Sequence, residues 1–188
     1  FCLPDPNNDL ELIIGFGKGD LIYYKESVNL LFQQTINKKV LHKAESKEGS
    51  IISVAHFKKV IAWSTSQMIR LRYYTNFMEA GQNICRIDLP TSPSTKFPEY
   101  VYNPSTMVRP SIIFQKSRQN IHDPHPNNIT LITSWYNMIK VTELVYDPSK
   151  DKFFASAQAK KSVNRQDIFI GASSFFEVDG LKSKYIAV

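Results

Sequence analysis

Apolar and polar positions alternate with a period of two over Ile69–Arg72, placing Ile69 and Leu71 on one face of an extended segment and Arg70 and Arg72 on the other. That pattern predicts a strand with one dry and one wetter face. Just before it, an apolar run ends in Trp63 and the small or polar residues Ser64–Gln67 follow, so the whole stretch "VIAWSTSQMIRLRYY" from Val60 reads as a hairpin. Two other stretches share its plan. "IIGFGKGDLIYY" from Ile13 runs to Phe16, turns over Gly17–Asp20 and becomes apolar again; "ITSWYNMIKVTEL" from Ile132 runs to Trp135 and turns over Tyr136-Asn137. A fourth unit is predicted from "DIFIGASSFFEV" into "KYIAV".

The starts at Ile13, Val60 and Ile132 lie 47 and then 72 residues apart, beside the roughly 40–50 residues of a propeller blade. The longer interval holds the proline- and serine-rich "LPTSPSTKFPEYVYNPS", read as a loop inserted at about 90–107, with a second loop at about 117–128. The expected fold is therefore all-β: a WD40-like β-propeller, partial, in which residues 1–188 supply about four blades. A β-sandwich is the competing fold, but its strands recur every 8–12 residues or so without a longer unit of aromatic, turn and alternating strand.

Composition changes this picture little. At 43% hydrophobic and 21% charged, 188 residues can bury a sizeable core. No apolar run approaches the roughly 20 residues of a membrane-spanning helix, and the opening "FCLPDPNNDLEL" is not a signal peptide. The lack of an initiator methionine and the apolar ending "YIAV" lead us to expect part of a longer protein. The net charge of +6 is spread over scattered lysines and arginines with no nucleic-acid-reading motif, so a solvated surface is expected and a nucleic-acid partner is not. Cys2 and Cys85 make neither a disulfide framework nor a metal-ligand pattern, and favour a reducing compartment. Asn128-Ile129-Thr130 fits the glycosylation acceptor pattern, but Ile129 begins an apolar run and chance explains the triplet.

Candidate chemistry is sparse. His122, Asp123 and His125 are the densest cluster of metal-type ligands, yet Pro124 and Pro126 hold them extended and no further ligand lies nearby, so a loop tip is expected. His42 and His56 stand alone in sequence and read as surface or half-buried imidazoles. "GFGKGD" at Gly15–Asp20 lacks the glycine spacing and following helix of a phosphate loop and serves a turn. No serine lies in a nucleophile elbow. No catalytic, cofactor-binding or metal-binding residue is therefore nominated. Trp63 and Trp135, at equivalent positions, are expected in the core. Of Phe153-Phe154 and of Phe175-Phe176, one ring each should point outward, against a neighbouring blade or a partner.

The order of features also resembles the amino-terminal propeller of the vacuolar protein sorting-associated protein 41 family. Val40-Leu41-His42, Glu48-Gly49, Ile61-Ala62-Trp63, the strand at Ile69-Arg70-Leu71, Val108-Arg109-Pro110 with its strand Ser111–Phe114, "ITLITSWYNMIKV" and "IFIGASSFFEV" follow one another as the family's elements do, over roughly residues 10 to 188. Departures are Ser134 where the family has glycine, the insertion between His42 and Glu48, and the extra loop at His122–Pro126. The resemblance implies a non-enzymatic subunit of the homotypic fusion and vacuole protein sorting (HOPS) tethering complex, on late endosomes, the vacuole or lysosomes. It implies other tethering subunits and a late-endosomal or vacuolar Rab GTPase or its adaptor as partners, peripheral membrane association from the cytoplasm, and no cofactor or small-molecule substrate. The family's downstream helical solenoid has no counterpart in these residues. A generic WD40-like interaction scaffold, or a propeller enzyme with an axial site, are the alternatives.

Overall fold

The computed structural model describes residues 2–3, 11–28, 33–46, 48–89, 110–116, 128–135, 138–162, 174–177 and 184–187. Every regular element among them is a strand. The chain divides into two compact units, Phe1–Leu89 and Pro90–Val188, which are taken in turn.

The first unit holds two four-stranded antiparallel sheets. One is β1 (Cys2–Leu3), β2 (Glu11–Gly15), β3 (Leu21–Val28) and β4 (Gln34–His42); the other is β5 (Ser53–Phe57), β6 (Val60–Ser64), β7 (Met68–Tyr73) and β8 (Gln82–Asp88). The second unit holds a third such sheet, β9 (Ser111–Lys116), β10 (Ile129–Trp135), β11 (Met138–Asp147) and β12 (Lys152–Ser162), and a two-stranded ribbon of β13 (Ser174–Glu177) and β14 (Lys184–Ala187). In every sheet, strands adjacent in sequence are adjacent in space. The three stretches that repeat in the sequence become the middle pairs, β2/β3, β6/β7 and β10/β11.

The three large sheets share a further detail that the sequence does not advertise. Each has one register break, always between its third and fourth strands: at Leu21/Ile22, Leu71/Arg72 and Glu143/Leu144. The extra residue always sits on the fourth strand, as Leu41, Ile84 and Ser156. Such a bulge leaves one residue out of the ladder and bends its strand. At Leu41 the freed carbonyl is used: it accepts from Arg72 Nη1 in β7 at 2.7 Å and from the hydroxyl of Tyr74, just beyond β7, at 3.3 Å.

Alternation then sorts the first sheet's side chains. Ile13, Leu21, Tyr23 and Leu41 turn toward the second sheet and pack with Ile61, Trp63 and Tyr74, while Ile51, Val54 and Phe77 close the margin. Phe77 is the hinge of this margin, its ring 5.1 Å from Tyr23 and 5.5 Å from Tyr74. The second sheet is buried on both faces, since Ile61 and Trp63 on one side and Ala62, Ile69 and Leu71 on the other are all sealed from solvent. The turn between β2 and β3 closes by Gly19 N–H to Phe16 C=O at 2.9 Å; Gly19 has φ +92°, and a Cβ there would lie 2.5 Å from the Gly49 carbonyl oxygen. Glycine is required on both counts.

Gly81 is a second tight spot, because a Cβ on it would meet the Tyr74 ring, 2.5 Å from Cζ. That ring is wedged against Phe77 and tied to the Leu41 carbonyl, so it has nowhere to go. Gly81→Ala is expected to lower stability by about 1–3 kcal/mol, as overpacking does, measured by urea denaturation. An unchanged midpoint would mean that the Tyr74 ring yields freely.

In the second unit the core strand is β10, buried from Ile129 through Ser134 on both faces. Its Thr130 hydroxyl donates to the Glu143 carboxylate, 3.0 Å from either oxygen. The β11–β12 turn is organised by Asp147, which accepts from the Ser149 N–H at 3.0 Å and hydroxyl at 2.6 Å and pairs with Lys150 at 3.2 Å. Tyr146 donates its hydroxyl to Asp151 at 2.5 Å, and Asp151 takes φ +45°.

Candidate functional site

The densest polar cluster of the described residues lies at the seam between the first two sheets. β4 ends on His42, the following loop returns Glu48, and β7 presents Arg70 from the far side. His42 Nε2 lies 2.6 Å from Glu48 Oε2; the Arg70 guanidinium holds the other Glu48 oxygen and reaches Glu45 at 3.0 Å. The Glu45 N–H also donates to Glu48, at 3.1 Å. The His42 ring packs 5.1 Å from the Trp63 ring, and the Arg72 guanidinium stands 5.7 Å over Trp63. Nearby, the Asp20 carboxylate accepts the Ala44 N–H at 2.9 Å, and the Ser53 and Ser64 hydroxyls meet at 2.6 Å.

A histidine beside a glutamate is a possible proton-transfer pair in general, but this one is sealed. The side chains of His42 and Glu48 are each only 3% exposed, and Arg70 covers the remaining carboxylate oxygen. No substrate atom reaches either group. The cluster is a tie that fixes β4 and its loop onto β7. Burial pushes the Glu48 carboxyl up, but the hydrogen bonds from His42 and the Glu45 N–H, with the charges of His42 and Arg70, outweigh it and hold Glu48 below its ordinary value. The expectation of a solitary surface or half-buried imidazole is therefore corrected at His42: it is buried and hydrogen-bonded to Glu48, because the loop after β4 folds Glu48 back onto it.

His56 fits that expectation better. It is half-buried, its Nδ1 lies 3.4 Å from the Lys58 carbonyl, and burial lowers its pKa against the opposing pull of that carbonyl. Gly15–Asp20 forms a strand end and a turn, as expected. Trp63 is buried, as expected. Asn128 is buried at 5% exposure, and its side-chain oxygen accepts the Tyr146 N–H at 3.0 Å, so this acceptor triplet is occupied in holding the third sheet. Cys85 is half-buried in β8. Phe153 points inward at 4% exposure and Phe154 outward at 39%, with the ammonium groups of Lys150 and Lys152 each 5.5 Å from its ring. His122, Asp123, His125, the side chains of Trp135, Phe175 and Phe176, the loop expected at 90–107, and that at 117–128 except Asn128 lie outside the described residues.

Among the described residues, a surface that can receive something is the other face of the first sheet. Leu12, Ile14, Tyr24, Glu26 and Ile36 line an open, mainly apolar groove of about 200 Å³. Ile36 is 71% exposed, Val40 48% and Ile14 37%. Sequence reasoning passed over this face, because alternation along β4 puts comparable residues on both sides: Ile36, Lys38 and Val40 on one, Asn37, Lys39 and Leu41 on the other.

No protein-family model matches the chain, and no curated protein matches it.

Proposed function

We propose that this chain is part of a WD40-like β-propeller that acts without chemistry of its own, as the docking platform of a HOPS-type membrane-tethering subunit. The observation that carries the reading is the recurring unit: three four-stranded antiparallel sheets in sequence order, each with its extra residue on the fourth strand. Propeller blades are four-stranded meanders of this kind. A second support is where the family-like residues fall. Leu41 and His42, Glu48, and Trp63 come from three separate segments and meet at one seam, where they join sheet to sheet. They are frame residues, which suits a platform whose partners bind elsewhere on its surface.

On this reading the partners are the other tethering subunits and a late-endosomal or vacuolar Rab GTPase or its adaptor, met at the cytoplasmic side of the membrane. The test is affinity purification of the tagged protein from its own cells, with the co-purifying proteins identified by mass spectrometry. Tethering subunits recovered in near-equal amounts support the reading; a solitary protein overturns it.

A further inference from the structure

The fourth strands β4, β8 and β12 form the rims of the three large sheets, and among the described residues no strand lies beyond them. Their free edges differ. The extra residues Ile84 and Ser156 interrupt β8 and β12 midway, whereas the break in β4 comes only at Leu41 and leaves Gln34–Val40 in unbroken register with β3. The β8 rim also carries a charge pair of its own, Arg86 with Asp88 at 2.6 Å. β4 has no such cover and is exposed from Gln34 to Lys38 and again at Val40. Propellers keep their edges short and protected, and a long exposed edge with apolar residues is a template for another strand.

The register fixes which backbone groups this edge offers. The Phe16 N–H donates to the Asp20 carbonyl at 2.9 Å. Hydrogen-bonded and unbonded pairs alternate along an antiparallel ladder, so Ile14/Ile22 and Leu12/Tyr24 are bonded pairs of β2 and β3. Tyr23 and Lys25 then turn their N–H and C=O toward β4, where they meet Lys39 and Asn37. Ile36 and Lys38 alternate with these, and their N–H and C=O point away from the sheet. Side chains alternate too: Ile36, Lys38 and Val40 project to one face, Asn37 and Lys39 to the other. Lys38 and Lys39 have no ion-pair partner among the described residues.

We propose that β4 takes up an extended, acidic segment of another protein as an additional strand of the first sheet. The backbone of Ile36 and Lys38 binds the main chain of the segment, and the side chains along the edge select it. Adjacent carboxylates on the segment meet Lys38 on one face and Lys39 on the other, while apolar residues to either side lie beside Ile36 and Val40. A second copy of β4 on the same stretch would crowd Lys38 and Lys39 of both chains into one ribbon. The lysines that admit an acidic strand thus turn away the protein's own and any basic segment. The added strand enters at the edge, so the groove over Leu12, Ile14 and Tyr24 stays open to a neighbouring blade. This proposal rests on the first sheet alone and is independent of the tethering reading.

Fluorescence anisotropy of the fluorescein-labelled peptide Thr-Val-Glu-Glu-Thr-Val-Thr, titrated with the full chain, tests it. Laid antiparallel, the peptide puts its valines opposite Val40 and Ile36 and its glutamates opposite Lys39 and Lys38. The expected result is saturable binding. N-methylation of the second glutamate and second valine, whose N–H groups face Lys38 and Ile36, should abolish it. N-methylation of the first glutamate and of the threonine after the glutamates should change it by less than about twofold, because those N–H groups face outward. Lys38→Glu and Lys39→Glu should each weaken binding about tenfold or more, and a peptide with lysines in place of its glutamates should bind the double variant. Ile36→Pro removes an N–H that points out of the sheet, so circular dichroism should stay unchanged while the peptide is no longer bound. Absence of saturable binding overturns the proposal. Binding that does not distinguish the two methylation patterns, or that survives Ile36→Pro, overturns it as well.

Discussion

Trp63→Ala is expected to lower the stability of the first unit by about 3–5 kcal/mol, the usual cost of deleting a large buried ring. Trp63 is 1% exposed and stands where both sheets contribute: Ile13, Leu21, Tyr23 and Leu41 from the first, Ile61 from the second, with Tyr74 from just beyond β7. The hole would open between two sheets, each held rigid by its own ladders, so collapse around it is restricted. Trp63→Phe should cost much less, about 1–2 kcal/mol. It keeps a ring under the Arg72 guanidinium and removes an indole N–H that finds no acceptor in the core. Urea denaturation followed by circular dichroism separates the two. A soluble Trp63→Ala protein of unchanged midpoint would remove Trp63 from the core.

Glu48→Ala comes next in size, at about 3–5 kcal/mol near neutral pH. The mutation strands Arg70 and His42 at the seam without their anion, and breaking a buried ion pair from one side carries that penalty. Glu45 stays in reach of Arg70 but is 64% exposed, so it compensates weakly; Glu45→Ala alone should cost about 1 kcal/mol or less. The acid response carries the sharper signature. Because the folded-state pKa of Glu48 lies below its ordinary value of 4.5, its contribution is complete above that value and is lost as pH falls through the lower folded one. Glu48→Gln should therefore flatten the fall in melting temperature of the normal protein below about pH 4.5. Two parallel melting-temperature curves across that range would show that the seam carboxyl does not titrate with folding.

Reading the strands from the sequence worked where a local pattern was enough. The alternation around Ile69–Arg72 and the apolar run before Trp63 specify β6, β7 and the turn between them without help from the rest of the chain. The same logic located β2/β3 and β10/β11. The outer strands were faint, because a strand with solvent on one edge tolerates polar residues throughout: β4 begins "QTINKK" and is exposed over most of its length. The seam was invisible for a different reason. His42, Glu48 and Arg70 come from a strand end, a loop and a strand of another sheet, so no spacing in the sequence links them before the sheets have packed. The apolar groove on the outer face is hidden likewise, since it exists only in the register among β2, β3 and β4.

The three bulges bear on how this sequence can change in length. An inner strand such as β6 is paired on both sides without a break, so one inserted residue would turn every side chain beyond it to the opposite face, Trp63 among them. The fourth strands already carry one residue more than their neighbours count, at Leu41, Ile84 and Ser156. There a gained or lost residue can be taken up by moving or erasing the bulge, while the other three strands keep their pairing. Each sheet thus has an expansion joint at its rim, and insertions and deletions should collect there and leave the hairpins at its centre untouched.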